Sequence, residues 1–337
     1  MRLKALVIGG GIFGVCAAIE LAKNGIEVHL FEKNAELMKG ATSVNQNRFH
    51  FGYHYPRSFA TAKQCLEGID SFKEYFGSSL LDAKENYYAI AKKGSRVTFK
   101  QYLNFCEKLD LPFEERFPDE KLLKRSEISG CIKVPEQIIN LKKMKTIAES
   151  LLKKYRVDIF LNKEFKAGDE KNYDLVINAS YSNFNTVNKM LGLPIKTFRY
   201  DICNVPILRL PRELSGIGII IMDGNFHSIL PYGNTPYHLF WGVTDSAIRS
   251  VSKFPPINSK MKTANFRDDV YIPLLKHAKL IDVLRVTKIL RPDVELSDER
   301  ISDLVNYRNG KFAILSAKIN TCVSTARKLV SIIKHQR

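Results

Sequence analysis

The sequence lacks any uninterrupted apolar stretch of the roughly 18 to 20 residues that a membrane-spanning helix requires. Arg2 and Lys4 lead directly into a short apolar run, not into the longer hydrophobic segment of a secretory signal. We therefore expect neither a transmembrane helix nor a signal peptide. The chain also lacks internal repeats and low-complexity tracts, so a second domain would have to be inserted into the first.

Cysteine is sparse, and its spacing argues against two common uses of the residue. The six cysteines stand at positions 16, 65, 106, 131, 203 and 322, without a C-x-x-C pair. The spacing indicates neither a zinc site nor a disulfide framework, and no metal is expected. The pattern fits a reducing compartment. We expect a cytoplasmic protein, with peripheral attachment at the inner face of a membrane as the alternative.

Composition indicates a globular protein with an excess of positive charge. Hydrophobic residues make up 45% and charged residues 26% of 337, a length that predicts two domains. The formal charge of +17 attracts anions of any kind, including acidic metabolites, lipid headgroups and nucleic acids. A solvated helix face explains much of this excess. The lysines concerned include Lys142, Lys143, Lys145, Lys153 and Lys154.

The first motif is a glycine turn between an apolar strand and a helix. The turn has the sequence GGGIFG at residues 9–14, and a second predicted strand ends at Glu32. We expect Gly9 to permit the tight turn and Gly11 to let a pyrophosphate approach the backbone. Gly14 should let the helix pack closely on the strand. The order of strand, turn, helix, strand and acid predicts a dinucleotide-binding βαβ unit.

The acid at the end of the second strand restricts the choice of dinucleotide. Glu32 is expected to accept hydrogen bonds from both ribose hydroxyls and to repel a 2′-phosphate, so FAD or NAD fits and NADP does not. The N–H groups and the positive dipole end of the first helix suit the phosphates. Ile12 and Phe13 at the helix start, and Lys33 after the acid, are the neighbouring candidates for cofactor contact.

A polar, aromatic and glycine-bearing segment follows at residues 40–58. In order and spacing it resembles the D-amino-acid oxidase superfamily of flavoproteins, and most closely its L-2-hydroxyglutarate oxidase/dehydrogenase branch. That branch shows approximately the pattern N-x-G-x-x-H-x-G-x-x-Y, and here Asn47 replaces the first glycine. The matching residues are Asn45, His50, Gly52, Tyr55 and the A-K-Q-C step of residues 62–65.

Two later segments extend the resemblance. Residues 173–180 (YDLVINAS) look like the superfamily's D-x-V-[VI]-N-A-x-G strand, with Tyr181 where glycine is usual. Arg291 and Pro292, followed by residues 310–321, resemble its last flavin-binding strand and turn. The usual glycine-rich turn is replaced by Ser316-Ala317-Lys318.

The resemblance implies FAD as the cofactor and an α/β fold, α+β overall. It implies a Rossmann-like FAD-binding domain with an inserted, mostly antiparallel β substrate domain. We assign residues 1–77, 141–197 and 287–337 to the first domain and residues 78–140 and 198–286 to the second. Further cofactor contacts are expected from Thr42, Ser43, Asn45, Ala179, Ser180, Arg291, Lys318 and Ile319.

The last predicted helix begins just after Lys318, because apolar residues recur from Ile319 onward at steps of three and four. A helix N-terminus and a lysine ammonium both stabilise negative charge. Reduction of a flavin gathers such charge at its N1 and C2 carbonyl. We therefore expect Lys318 to support flavin reduction.

The implied reaction is oxidation at a C–H next to OH or NH, with hydride transfer to flavin N5. A 2-hydroxy acid needs a base for its O–H proton, and His50 is the first candidate because it lies in the matched segment. His227 and Tyr232, in a predicted hairpin, are candidates to orient the substrate. The candidates to bind a substrate carboxylate are Arg48, Arg57 and Arg291, with Tyr55 beside them.

Three other interpretations remain open on sequence grounds. An amine, amino-acid or amino-sugar oxidase would use the same fold, and a peripheral membrane dehydrogenase would pass electrons to quinone instead of O₂. The charge also suits an RNA-acting flavoprotein. No basic stripe interleaved with aromatic residues and no RNA-binding module is recognisable, so a nucleic-acid partner is not expected.

Overall fold

The computed structural model describes residues 2–242, 247–256 and 265–336. A mainly parallel six-stranded sheet has the strand order β16-β17-β9-β1-β2-β8. Its strands are β1 (Lys4–Ile8), β2 (Glu27–Phe31), β8 (Asp158–Phe160), β9 (Leu175–Asn178), β16 (Asp303–Asn306) and β17 (Lys311–Leu315). β1 pairs in parallel with β2 on one side and β9 on the other. The carboxyl ends of these three strands therefore meet at one edge of the sheet.

Eight α-helices are formed by the described residues. They are α1 (Ile12–Lys23), α2 (Phe59–Glu67), α3 (Ile69–Phe76), α4 (Phe99–Lys108), α5 (Leu141–Lys154), α6 (Phe184–Met190), α7 (Val294–Ser297) and α8 (Cys322–His335). Small and branched apolar side chains of α1 and α8 are buried in the same core as β1. Close helix packing of this kind explains why ten consecutive residues of α1 are buried.

The second sheet has nine strands and is mostly antiparallel, although β4 and β11 pair in parallel. Its strands are β4 (Glu85–Ala91), β5 (Glu114–Glu115), β6 (Ile128–Lys133), β10 (Phe198–Arg209), β11 (Ile217–Met222), β12 (His227–Pro231), β13 (His238–Gly242), β14 (Ala247–Ser252) and β15 (Lys279–Leu290). β3 (Leu80–Leu81) and β7 (Ile138–Ile139) form a separate pair.

The predicted fold class is confirmed by this architecture. All six strands of the first sheet lie in residues assigned to the FAD-binding domain. Those of the second lie in residues assigned to the substrate domain, except that β15 crosses the boundary at residue 287. The division into domains stays a prediction, and residues 243–246 and 257–264 of the second block lie outside the described residues.

Within the described ranges, no helix combines the length and the apolar character that crossing a membrane requires.

Candidate functional site

A cavity of about 1140 Å³ lies between the carboxyl edge of the parallel sheet and the second sheet. Its volume exceeds the roughly 300 to 1,000 Å³ of common ligand pockets. The ends of β1, β2 and β9 contribute Gly9, Glu32 and Ala179 to its wall. Ligands of parallel sheets bind at this edge, where the strand order changes direction.

The glycine turn is built as the sequence predicts. Gly9 has a φ of +108°, and a Cβ there would lie 2.8 Å from the Ala179 carbonyl oxygen. A Cβ on Gly14 would lie 1.9 Å from the Gly9 carbonyl oxygen, so only glycine allows α1 this close to β1. Gly11 differs, because only Thr42 Oγ1, at 3.5 Å, lies near a Cβ placed there. The turn is therefore packed tightly beneath and open at Gly11, as a cradle for a pyrophosphate requires.

The start of α1 presents few side chains to the cavity. Gly11 is the N-cap and offers no side-chain cap, while Thr42 Oγ1 accepts a hydrogen bond from the Ile12 N–H at 3.0 Å. Sequence reasoning missed Gly10, whose hypothetical Cβ would lie 2.5 Å from Leu37 Cδ2. A Cβ at Gly10 would also lie 3.0 Å from Glu32 Cβ, so the third consecutive glycine leaves space for Leu37 and Glu32.

Glu32 is buried and lines the cavity. Its Oε2 accepts a hydrogen bond from the Gly10 N–H at 2.8 Å, and its Oε1 accepts from the Asn34 N–H at 2.8 Å. A carboxylate oxygen has more than one acceptor position, so these bonds fix the side chain and leave capacity for a ligand. The arrangement suits two hydroxyl donors.

The two residues that replace expected glycines adopt backbone conformations that glycine favours. Asn47 has a φ of +53° and Tyr181 a φ of +50°. Asparagine tolerates the left-handed region, whereas a tyrosine there is strained. The backbone therefore follows the path that the glycines would give, despite both substitutions.

A cationic cluster surrounds His50 in the cavity wall. His50 is buried, and its Nδ1 has no hydrogen-bond partner among the described residues. The ammonium of Lys318, also buried, contacts the Tyr55 hydroxyl and lies 4.1 Å from the centre of its ring. Burial lowers the pKa of His50 well below its ordinary value, and the charges of Lys318 and Arg48 lower it further. Burial, with a smaller contribution from Arg48, lowers the pKa of Lys318 to about 7.

Arg48 is held rigidly, although it is almost fully buried. Its Nη1 donates to the Tyr88 hydroxyl at 2.9 Å, and its Nε lies 3.6 Å from Glu136 Oε2. Tyr88 in turn donates to Glu136 at 2.6 Å, and Glu136 accepts the Phe51 N–H at 2.9 Å. The network fixes the guanidinium against the wall of the cavity and ties it to the segment that carries His50.

A second histidine of the cavity wall, half-buried, was missed by sequence reasoning. His54 lines the cavity, its Nδ1 has no described partner, and burial lowers its pKa well below the ordinary value. Its ring lies 5.3 Å from that of Tyr55. His54 belongs to the same glycine-bearing segment as His50, so the segment itself was the signal that could have found it.

Most predicted site residues line the cavity together. They are Gly9, Gly11, Ile12, Phe13, Glu32, Lys33, Thr42, Asn45, Arg48, His50, Tyr55, Arg57, Ala179, Ser180, Arg291, Lys318 and Ile319. Gly14 contributes indirectly, because it allows α1 to pack closely on β1 beneath the turn. Ser43 does not reach the cavity wall, because its hydroxyl donates to the carbonyls of Lys39 and Gly40 within its own turn.

The structure does not bring His227 and Tyr232 to the cavity. Ser228 lines it, and side chains alternate along a strand, so His227 projects from the opposite face of β12. There His227 pairs with Asp269 at 2.7 Å and packs on Phe240. Tyr232 packs farther along in an apolar cluster with Val205 and Leu239.

Two of the arginines predicted to bind a carboxylate are already engaged. Arg57 Nε donates to Asp223 Oδ2 at 2.5 Å, and its Nη1 donates to carbonyl oxygens of α7. Arg291 is exposed and pairs with Asp293 and Glu299. Both guanidinium groups are therefore already paired with protein carboxylates, and their role in binding a substrate carboxylate stays a prediction.

Comparisons with known proteins agree on a family. The model of the family DAO, described as FAD dependent oxidoreductase, matches residues 4–278. The FAD-dependent monooxygenase FPY4 of Fusarium mangiferae is 28% identical over 97% of this chain and 90% of its own length. The mitochondrial L-2-hydroxyglutarate dehydrogenase of Caenorhabditis elegans is 33% identical over 25% of this chain and 20% of its own.

The fold agrees with the same assignment. The L-proline dehydrogenase of P. horikoshii superposes with a TM-score of 0.76 at 18% identity, covering 100% of this chain and 94% of that protein. At this identity the likeness concerns the fold alone. The comparisons confirm the predicted superfamily and, over a quarter of the chain, the resemblance to its L-2-hydroxyglutarate branch.

Proposed function

The chain is an enzyme that belongs to the DAO family of FAD-dependent oxidoreductases, and from this premise we propose that it oxidises a small 2-hydroxy acid to the 2-oxo acid. The residues fit the cofactor, because the cradle is open only at Gly11 and Glu32 faces the cavity beside it. Bound FAD supplies a hydride acceptor at N5. The chain's own residues must then bind the acid, remove its hydroxyl proton and exclude water.

The state of His50 carries this proposal. A general base must be unprotonated before the reaction and must lie in the wall of the reaction site. His50 lines the cavity, and burial together with two neighbouring cations keeps its pKa below the ordinary value. The imidazole is therefore neutral at pH 7 and able to accept a proton. Release of that proton is favoured afterwards, because Lys318 and Arg48 repel an imidazolium.

The same cations favour an anionic substrate. Arg48 and Lys318 contribute positive charge at the cavity wall, and their field attracts a carboxylate into the cavity. Its arrival would raise the pKa of Lys318 from about 7, so this lysine becomes more fully charged as the substrate binds. Lys318 is then placed to stabilise the negative charge of the reduced cofactor.

The positive field also supports a second candidate, oxidation of an amino acid. Cations beside a bound amine lower its pKa and favour the neutral amine, whose lone pair assists hydride loss without a base. The two substrates differ in their pH dependence. Oxidation of a hydroxy acid requires neutral His50, whereas oxidation of an amine requires a deprotonated substrate.

Anaerobic mixing with substrate tests the proposal. We expect 2-hydroxy acids to bleach the flavin's visible band, with a rate that falls only as the pH drops through the lowered pKa of His50. The fall should therefore lie below the ordinary histidine value of about 6.5. A rate that instead climbs through alkaline pH, with amino acids as the reducing substrates, would replace the proposal with the amine reaction.

Oxygen labelling separates both reactions from that named for the Fusarium relative. Oxidation of a hydroxy acid leaves the substrate's own oxygen in the product, whereas a monooxygenase inserts an atom from O₂. Label from ¹⁸O₂ in the organic product would contradict the proposed oxidation.

Removing the carboxylate of Glu32 is expected to weaken FAD binding at least tenfold in Glu32→Ala. Each charge-assisted hydrogen bond to a ribose hydroxyl contributes about 1.5–3 kcal/mol. Quenching of FAD fluorescence during reconstitution measures the Kd. Glu36→Ala is the matched control, because Glu36 is exposed and pairs with Lys39 and Lys145. Equal Kd values for the two variants would contradict the assigned contact.

A further inference from the structure

The described part of the cavity wall contains seven arginines, and each pairs with a carboxylate. The pairs are Arg48 with Glu136, Arg57 with Asp223, Arg96 with Glu295, Arg199 with Asp201, Arg249 with Asp201, Arg291 with Glu299 and Arg300 with Asp298. Four of the seven also have a second carboxylate within reach, since Arg57 approaches Asp298, Arg291 approaches Asp293, and Arg199 and Arg249 both approach Glu295. The positive charge of each of these arginines is therefore already partly offset by a protein carboxylate.

Lys288 on β15 is different. It lines the cavity and is half-buried, and its ammonium makes no hydrogen bond or ion pair with any described residue. The carboxylate directly across the sheet belongs to Asp201, whose backbone is in register with that of Lys288. That carboxylate is occupied, because Arg199 Nη2 donates to Asp201 Oδ2 at 2.9 Å. Among the described residues, no carboxylate therefore pairs directly with the ammonium of Lys288.

An aromatic ring holds this ammonium in place. Lys288 Nζ lies 3.4 Å from the centre of the Trp241 ring, and Trp241 also lines the cavity. A cation over an indole face is attracted by the ring quadrupole, but the ring does not supply the charge that an anion would. The side chain is thus oriented on a platform with its donors available, a low-entropy arrangement for binding an anion.

We propose that Lys288, and not an arginine, binds the carboxylate of the substrate, with Trp241 as the platform that orients it. The inference rests on the proposed function for the identity of the ligand, but the binding of a carboxylate can be measured without turnover. A lysine donates as a point charge, whereas an arginine fork holds a carboxylate bidentately. The site therefore selects for charge more than for one carboxylate orientation, and it admits acids of different shapes.

Deprotonation of Lys288 should be visible in the pH dependence of carboxylate binding. Burial lowers the pKa of Lys288 to about 8. The charged or titratable groups that face it have smaller effects, some of which raise this pKa and some of which lower it. Those groups are Cys203, Asp201, Arg300 and Arg199, together with His54, whose own pKa the charge of Lys288 lowers. A carboxylate is bound by the protonated lysine, so the contribution of Lys288 to the affinity is constant below its pKa and falls above it. The expected fall is about tenfold per pH unit, since one proton is lost.

Titration of the holoenzyme with oxamate, a carboxylate without an oxidisable hydroxyl, tests the site. Trp241 is the only tryptophan of the chain, so its fluorescence reports binding beside Lys288, and the flavin spectrum gives a second reading. In Lys288→Met the Kd is expected to rise by about 30-fold or more and to lose the additional rise above pH 8 that deprotonation of Lys288 causes. In Lys288→Arg binding should persist above pH 8, because arginine stays charged.

Lys196→Met is the matched control, because Lys196 also lines the cavity but is exposed at its rim. Its oxamate Kd should equal that of the wild type. An unchanged Kd in Lys288→Met, or equal weakening of a neutral probe such as lactamide, overturns the inference. Lys288→Arg keeps the test valid if the methionine variant does not fold. If oxamate binding depends on Lys288 but no hydroxy acid reduces the flavin, the inference stands and the proposed function falls.

Discussion

Replacing His50 by alanine is expected to slow anaerobic flavin reduction by a 2-hydroxy acid roughly 10²- to 10⁴-fold, the usual contribution of a general base. FAD should remain bound. The backbone carbonyl of His50, and not its ring, accepts the hydrogen bond from Asn320 Nδ2 at 2.9 Å, so removing the ring leaves that contact in place. Stopped-flow absorbance, normalised to bound flavin, measures the rate.

His54→Ala is the matched control for this experiment. His54 is a second histidine of the same segment in the wall of the cavity, with an equally unpartnered Nδ1 and a pKa lowered for the same reason. A loss confined to His50→Ala assigns the base. A loss confined to His54→Ala transfers the role to His54. Reduced FAD occupancy in His50→Ala, with a normal rate per bound flavin, would mean that His50 only supports the cofactor.

Gly14→Ala is expected to abolish FAD binding and to lower stability by about 3 kcal/mol or more, the upper range for overpacking a core. The added Cβ would lie 1.9 Å from the Gly9 carbonyl oxygen and 3.3 Å from Ala179 Cβ. The obstacle is backbone, so no side-chain rotation relieves it, and the turn must move out of the cavity wall. FAD per chain and the Tm measure the two effects.

Gly77→Ala provides the comparison, because Gly77 does not line the cavity and only Lys73 Cβ, at 3.7 Å, lies near a Cβ placed there. That variant should bind FAD normally and melt at the wild-type temperature. Full FAD occupancy in Gly14→Ala would show that the helix can shift without loss of the cradle, contrary to the packing described.

The cofactor half of the site was predictable because its determinants are local. Gly9, Gly14 and Glu32 act within a single βαβ unit, where the order of residues along the chain fixes their geometry. Asn47 and Tyr181 show the limit of that reasoning. The sequence marks them as departures from glycine, and only the structure shows that both keep a positive φ.

The substrate half was harder to predict because its determinants are distant. Whether Arg57 is free depends on Asp223, 166 residues away. Whether Lys288 is neutralised depends on how Arg199 shares Asp201 across the sheet. His227 does not reach the cavity for another reason. Side chains alternate along a strand, so Ser228 faces the cavity and its neighbour His227 does not.

The contact between Lys318 and Tyr55 spans 263 residues, and β17, which pairs with β9, is the last strand of the sheet. During synthesis the glycine turn therefore leaves the ribosome long before the wall that completes its cavity. Until β17 arrives, β9 presents an unpaired edge to other chains. We expect FAD to bind only molecules that have finished folding. Its binding then stabilises the folded state by mass action. The concentration of FAD would then determine how many folded chains remain, but it would not affect how each chain begins to fold.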